Sequence, residues 1–415
     1  MIQKELYDSA VFRTTDMNAA VARLKSLSAA LEVIKVKTTD IKLISYVGEN
    51  PDGSFQVAYS SPPVPTDAKI NRRAGLPVFY KMERKGFTRN GLIDEEFINE
   101  FKKNGYALSI RDVNDPTKSV VYICSSSVLG TLCTRCNVSG DGLFINTVLR
   151  DQFLAERLFF AKKNCHVIMR RSNDGVPKVF AVLGSAYTPI SQEIVVDVVQ
   201  KCSEDLEATP ELVNFVSDNF ITRMYVEFPD ISDDFAKTYK LPDKVSPGIC
   251  VSTSDTGDSS LTVWGTVRIG KCTTSLFFGE YARKHSGEID LEEIIENIRK
   301  NVFSEFTKAP ETLLKLLSID IKNPKKVIEK VINTTKLKKL LGKDNSVQLI
   351  EALQAEIDDH ASYTAYDIAT MIMSAPERTE GLAPGTLLVF QKNAKEALFA
   401  DYENIEKKSS LYLTA

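Results

Sequence analysis

Residues 163–201, KNCHVIMRRSNDGVPKVFAVLGSAYTPISQEIVVDVVQK, set the pattern for the fold. Residues 165–171 and 178–183 are short apolar segments typical of strands, and Asp174-Gly175 between them tolerates the positive φ of a hairpin turn. Ser191 is a suitable helix N-cap, and a helical face follows at Ile194, Val195, Val198 and Val199. A hairpin followed by a helix that packs back over it predicts a mixed α+β core.

The rest of the chain continues this mixture of strands and helices. Antiparallel strands are predicted at 41–47, 55–59, 106–110, 120–124, 221–228, 248–253 and 260–269. Beyond Asp290, a suitable N-cap, the pattern becomes helical, with helices predicted at 291–306, 310–318, 324–333, 346–357 and 364–375, the last ended by Pro376. The predicted fold is therefore α+β, with an antiparallel sheet core, packed helices and a mainly helical C-terminal lobe.

The chain length and a proline-rich break in the pattern predict more than one domain. A chain of 415 residues is long for a single core, and the sequence SPPVP at 61–65 favours an extended linker. We predict a small α+β segment at 1–65 that ends in this Pro-rich linker. A central α+β domain at 90–285 and a helical C-terminal lobe at 286–415 follow.

Composition restricts the compartment and the partners. A formal charge of −3 provides no overall attraction to nucleic acid or to anionic lipid, so any such contact needs a local patch. Apolar runs are too short to span a bilayer, and charges interrupt the N-terminus where a signal peptide needs an apolar region. The odd count of seven cysteines in apolar surroundings is typical of reduced, buried thiols. We expect a cytoplasmic protein, in the host cytoplasm if phage-encoded, with no membrane partner.

Motifs for cofactors and metals are incomplete. The run from Gly265 to Cys272 resembles a phosphate-binding loop, but it has a thiol where Ser or Thr binds magnesium, and β-branched residues favour a strand there. Cys133 and Cys136, three apart in a predicted helix, are interpreted as buried thiols rather than half of a zinc site. We therefore assign no cofactor, no metal and no catalytic residue. An enzyme of unidentified class remains an alternative, with Asp255, Asp258 and His360 as candidates.

A lysine-rich segment is the strongest functional signal. Between residues 315 and 343 the sequence contains nine lysines and only two acidic residues, which gives a local charge of +7 in an acidic chain. Lysines on helices that also carry apolar residues form either a solvated face or a surface that follows a phosphate backbone. The candidate nucleic-acid-binding residues are Lys322, Lys325, Lys326, Lys336, Lys338, Lys339 and, from the opening hairpin, Arg170.

Three blocks carry a resemblance to a known family: residues 125–158, 167–199 and 247–269, the last reading PGICVSTSDTGDSSLTVWGTVRI. Together they resemble the phage/plasmid-like family catalogued as domain of unknown function nine hundred and thirty-two. The hairpin matches its pattern in order at Arg170, the strand 179–183, Tyr187 and Pro189-Ile190, although Phe180 replaces the usual arginine. The resemblance implies a setting in phages, prophages and conjugative elements, and it implies no established reaction.

The sequence therefore supports a functional hypothesis with two alternatives. The hypothesis is a non-enzymatic accessory protein of a mobile element that binds or anneals single-stranded DNA through its lysines. Single strands also need stacking aromatic rings, for which Tyr187, Phe180 and Tyr225 are candidates. The alternatives are the enzyme above and an assembly or host-takeover factor that binds a host or phage protein, or a second copy of itself, without contacting nucleic acid.

Overall fold

The computed structural model describes residues 11–60, 64–66, 69–71, 77–84, 88–89, 92–93, 95–112, 115, 117–138, 148–170, 177–232, 237, 245–269, 276–287, 290–304, 309–378 and 393–410. Its strands are β1 (Phe12–Thr14), β2 (Leu31–Lys37), β3 (Ile41–Glu49), β4 (Phe55–Ser60), β5 (Val64–Thr66), β6 (Lys69–Asn71), β7 (Val78–Met82), β8 (Thr88–Arg89), β9 (Leu92–Ile93), β10 (Tyr106–Arg111), β11 (Ser119–Ile123), β12 (Asn164–Arg170), β13 (Lys178–Gly184), β14 (Glu211–Ser217), β15 (Thr222–Glu227), β16 (Val245–Thr253), β17 (Leu261–Ile269), β18 (Leu276–Arg283), β19 (Asp320–Ile321) and β20 (Tyr363–Thr364).

The α-helices are α1 (Met17–Ala30), α2 (Glu95–Asn104), α3 (Val128–Arg135), α4 (Val148–Ala161), α5 (Ile194–Leu206), α6 (Leu291–Ile298), α7 (Ala309–Leu317), α8 (Pro324–Thr334), α9 (Lys336–Ala355), α10 (Ala365–Arg378) and α11 (Tyr402–Ser410). A π-helical turn, Arg299–Phe303, follows α6. The strands pair antiparallel in the three larger sheets, which confirms the predicted α+β class.

The chain divides into two compact units. The first consists mainly of Arg23–Pro189, and the second mainly of Ile190–Lys284 and Ile289–Ala415. In the first, strand β10 pairs with β3, so strands on both sides of the Pro-rich segment at 61–65 belong to one sheet. In the second, the helices after residue 309 share a core with strands of the predicted central domain. The units therefore divide the chain differently from the three predicted segments.

The first unit contains two sheets. One has five strands in the order β11-β10-β3-β4-β7, and the other has three in the order β13-β12-β2. Helix α3 packs on β13, and helix α4 packs on β3 and β4. Their buried residues, including Leu132 and Leu158, join Val167 and Val182 of the three-stranded sheet in one core, which anchors both sheets.

The opening hairpin forms as predicted, whereas the helix that follows it packs on a different sheet, within the second unit. Strands β12 and β13 pair antiparallel with a bulge after Ile168, while the predicted turn Asp174-Gly175 lies outside the described residues. Helix α5 belongs to the second unit, where it packs on β15 and β16. Ser191 accepts the backbone N–H of Glu193 and so caps the turn before α5 rather than the helix itself. Helix α3 covers the hairpin.

The second unit combines one large sheet with the C-terminal helices. Six strands pair in the order β1-β14-β15-β16-β17-β18, and β1, β14 and β18 had not been predicted from the sequence. Trp264 of β17 is almost fully buried in the same hydrophobic core as residues of α7 to α11. Asp290 caps α6 as predicted, by accepting the N–H groups of Glu292 and Glu293.

The C-terminal helices follow the predicted positions with two corrections. Helix α9 begins at Lys336, ten residues before its predicted start at 346, and Leu337 in its first turn is already buried in the core. Helix α10 continues to Arg378 and does not end at Pro376. No helix among the described residues is long and apolar enough to cross a membrane.

Candidate nucleic-acid interface

Helices α8 and α9 form a helical hairpin that presents the lysine-rich segment. Thr335 is the single residue between the two helices, which pack against each other and against α10. The inner side of α8 is fully buried at Val327, Ile328, Val331 and Ile332. Pro324 begins α8, where a missing N–H costs nothing and the fixed φ suits a first turn. Because the apolar side is anchored in the core, the lysines of the hairpin are directed away from it.

Six of the seven sequence-predicted residues lie on this helical hairpin or in the turn before it, in one group at the start of α8 and another at the start of α9, and we call the six together the lysine face. Five of them are exposed, and Lys326 is half-buried. The lysine face consists of Lys322 in the turn before α8, Lys325 and Lys326 in the first turn of α8, and Lys336, Lys338 and Lys339 in the first turn of α9.

Carboxylates that are distant in sequence engage two of these lysines. Lys325 Nζ lies 2.8 Å from Asp359 Oδ1, and Lys336 Nζ lies 2.7 Å from Glu396 Oε1. The hydrogen bond from Lys325 holds the pKa of Asp359 below its ordinary value. Both pairs are largely exposed to solvent, so each contributes little to stability. The sequence analysis missed both carboxylates, and no local spacing could have identified them.

Arg170, the seventh predicted residue, is not available to a nucleic acid. Only 1% of it is exposed, and Nη1 donates a 2.8 Å hydrogen bond to the carbonyl oxygen of Leu27. Its guanidinium also lies over the ring of Phe180, 5.7 Å from the centroid. It therefore stabilises the interior of the first unit, because a buried cation needs such partners. The proposal of a nucleic-acid role for Arg170 is corrected accordingly.

The aromatic candidates change as well. Phe180 and Tyr225 are buried, and Tyr187 stacks on His285 with ring centroids 5.3 Å apart. Phe399, by contrast, is 62% exposed, three residues after the Glu396 that engages Lys336. It lies in a short 3₁₀ helix, Lys395–Phe399, a pattern that the sequence analysis did not single out.

A cavity of about 270 Å³ adjoins Phe399, and its charge argues against a phosphate there. Lys315 is its only cationic lining residue among those described, whereas three carboxylates, Glu311, Asp401 and Glu403, also line it. Phosphate contacts are thus expected on the lysine face and not inside this cavity.

The alternative catalytic candidates lie in two different loops, Asp255 and Asp258 between β16 and β17 and His360 after α9. Asp255 is fully buried and accepts a 3.0 Å hydrogen bond from Gln192 Nε2. Asp258 belongs to the same loop, where it accepts a 2.5 Å hydrogen bond from Thr256 Oγ1. Burial, together with the nearby charges of Asp218 and Asp255, raises the pKa of Asp258. His360 is an exposed residue of the turn after α9, and its backbone N–H donates a hydrogen bond to the carboxylate of Asp358. These loop contacts are structural, and they connect neither aspartate to His360.

The two cysteines of the C-x-x-C motif are buried, and the incomplete phosphate loop lies only partly within the described residues. Cys133 and Cys136 are buried, and burial raises the pKa of the Cys136 thiol to about 11. No group of three or more His, Cys, Asp or Glu side chains suited to a metal occurs among the described residues. Gly265 lies within strand β17, as predicted, while Lys271 and Cys272 lie outside the described residues.

Comparison of the chain with protein-family models, with curated proteins and with solved structures found no match.

Proposed function

We propose that this chain is a non-enzymatic accessory protein of a phage- or plasmid-type mobile element that binds single-stranded nucleic acid through the lysine face. The observation that supports this most directly is the position of all six lysines on one anchored helical hairpin and its preceding turn. The mobile-element setting comes from the sequence resemblance alone.

The binding mode follows from the chemistry of the lysine face. Ammonium groups bind phosphate as point charges, and each contact releases a condensed counterion, so affinity falls as salt rises. Lysine-to-phosphate contacts position a strand without reading bases, so we expect little sequence preference. Exposed Phe399 is a ring on which a base of a flexible single strand can stack, which favours single strands over duplex.

A charge-reversal experiment with a matched control tests the proposal. Lys338 and Lys339 are exposed and have no ion-pair partner in the part of the chain that the structure describes. The double substitution Lys338→Glu and Lys339→Glu should remove most binding of a labelled oligonucleotide without lowering the melting temperature. Lys25→Glu with Lys103→Glu makes the same charge change at two exposed helical lysines of α1 and α2 and should leave binding almost unchanged.

Two results would contradict the proposal. The first is a wild-type protein that does not retain the oligonucleotide at low salt. The second is an equal loss of binding in both double variants, which would indicate an effect of net charge rather than of the lysine face.

A second candidate function, binding of another protein, is favoured by one observation on α4. Leu149, Phe153 and Phe160 are 78%, 41% and 50% exposed, and their spacing places them along one side of that helix. Exposed large apolar side chains grouped in this way are typical of protein interaction surfaces. If the oligonucleotide is not retained, this candidate takes precedence.

A further inference from the structure

A cleft in the first unit combines several cationic and hydrogen-bonding groups that the lysine face does not use. Its volume is about 810 Å³, within the range of small-molecule sites. Three of its lining residues are cations, namely Lys35, Lys37 and Arg111, and two are carboxylates, Asp40 and Asp112. The remaining lining residues are Val36, Thr39, Asn164, Cys165, His166 and Ser185.

The pairing of β2 with β12 brings the key side chains together. Lys35 lies directly opposite His166, and Lys37 lies directly opposite Asn164, in the antiparallel register. Opposed residues point to the same face of a sheet, and residues two apart along one strand share that face as well. The four side chains therefore form a compact polar surface, while Val36 and Cys165 between them face the buried core.

His166 is held in one orientation. Its Nδ1 lies 3.0 Å from the carbonyl oxygen of Tyr187. Since a carbonyl oxygen only accepts, Nδ1 carries the proton, and Nε2 is left for a ligand. Tyr187 is itself fixed, because its ring stacks on His285 at an interplanar angle of 7° and its hydroxyl lies 3.3 Å from His285 Nδ1. The imidazole is thus pre-oriented by the backbone, which reduces the entropy that a bound ligand must offset.

The charges in the cleft are not mutually neutralised. Arg111 Nη1 lies 3.5 Å from Asp40 Oδ1, so these two form an ion pair. Lys35 and Lys37 are exposed, and no carboxylate lies within ion-pair distance of either in the described part of the chain. Two adjacent ammonium groups beside the amide of Asn164 suit a dianion, whereas Asp40, Asp112 and Nε2 of His166 suit hydroxyl donors.

We propose that this cleft binds a small phosphorylated polyol of the sugar phosphate class. The phosphate is bound by Lys35, Lys37 and the amide of Asn164, and the hydroxyl groups donate to Asp40, Asp112 and Nε2 of His166. None of the described lining residues is aromatic, so a nucleobase gains no stacking, and a nucleotide has no advantage over a sugar phosphate. Burial raises the pKa of the Cys165 thiol to about 11, so the site binds without a thiolate nucleophile.

Titration calorimetry of the full chain with four probes tests this site: ribose 5-phosphate, inorganic phosphate, ribose and AMP. Ribose 5-phosphate should bind most tightly, inorganic phosphate more weakly and ribose not measurably, while AMP should bind no more tightly than ribose 5-phosphate. Replacing Lys35 and Lys37 by Ala should weaken ribose 5-phosphate about tenfold or more, since each removes a charge-assisted hydrogen bond. His166→Ala should weaken it further.

Controls separate this site from the lysine face. Both cleft lysines are exposed, so their substitution should leave the melting temperature unchanged, and Lys25→Ala with Lys103→Ala is the matched control. The Lys338→Glu, Lys339→Glu variant should bind ribose 5-phosphate like the wild type. Equal affinity for ribose 5-phosphate and inorganic phosphate would contradict the proposed contacts of the sugar hydroxyl groups. Absence of binding at millimolar concentration, or undiminished binding by the cleft variant, would overturn the site.

Discussion

Removing the carboxylate of Asp359 should make binding of single-stranded nucleic acid both tighter and more sensitive to salt. Asp359 forms a 2.8 Å ion pair with the ammonium group of Lys325, and Glu396 forms one of 2.7 Å with that of Lys336. Asp359→Asn and Glu396→Gln each release one lysine of the lysine face. Most mutations near a binding surface weaken binding, so an increase in affinity is a stringent test of this reasoning.

The expected magnitude follows from the number of lysines without a carboxylate partner. The side chains of Lys322, Lys338 and Lys339 have none, whereas Lys326 is half-buried and already engaged within the protein. At a slope of about −0.7 per phosphate contact, three contacts give about −2.1, so a fourfold rise in salt weakens binding about twentyfold. Releasing Lys325 gives about −2.8 and about fiftyfold, and releasing both paired lysines gives about −3.5 and about 130-fold.

The assay is fluorescence anisotropy of a labelled single-stranded oligonucleotide over a fourfold range of salt. Glu351→Gln is the matched control, because it removes one exposed carboxylate from α9 that is paired with no lysine in the described structure. It should change affinity slightly and leave the slope unchanged. A slope in Asp359→Asn identical to that of the wild type would refute the reasoning, because Lys325 would then contact no phosphate.

Three further predictions concern the fold. A thiol reagent should label at most Cys272 in the native chain and all seven cysteines in denaturant, because the six described cysteines are buried. Asp258→Asn should raise the melting temperature at pH 7. The pKa of Asp258 is raised in the folded state, so the wild type gains stability as the pH falls through it, and the difference between the two proteins should disappear near pH 4. Gly248→Ala should lower the free energy of unfolding by about 1–3 kcal/mol, because its Cβ would collide with the carbonyl oxygen of Val226, whereas Gly130→Ala in α3 should raise it by about 0.5–1 kcal/mol in urea titrations.

The local pattern of the sequence was sufficient to predict many individual elements. The hairpin β12–β13, the strands from β15 to β17 and the helices α7 and α8 lie within a few residues of their predicted positions. These elements depend on the alternation or helical spacing of apolar residues and on the Gly, Pro and capping residues that begin and end them. All of these act over a few neighbouring positions. Asp290 shows this well, because its capping role requires only the residues directly after it. The positions of five lysines on one helical hairpin and of Lys322 in the turn before it were likewise encoded locally.

Contacts between distant parts of the chain determined the rest, and no local pattern contains them. Helix α5 has the apolar face that was predicted, and only the tertiary structure shows that the helix packs on the six-stranded sheet. Arg170 was indistinguishable from a surface cation until the carbonyl of Leu27 was placed beside it. The partners of Lys325 and Lys336 lie 34 and 60 residues away along the chain. The register of β2 with β12, across more than 120 residues, assembles the phosphate-binding half of the cleft, because opposed side chains meet only once two strands have paired.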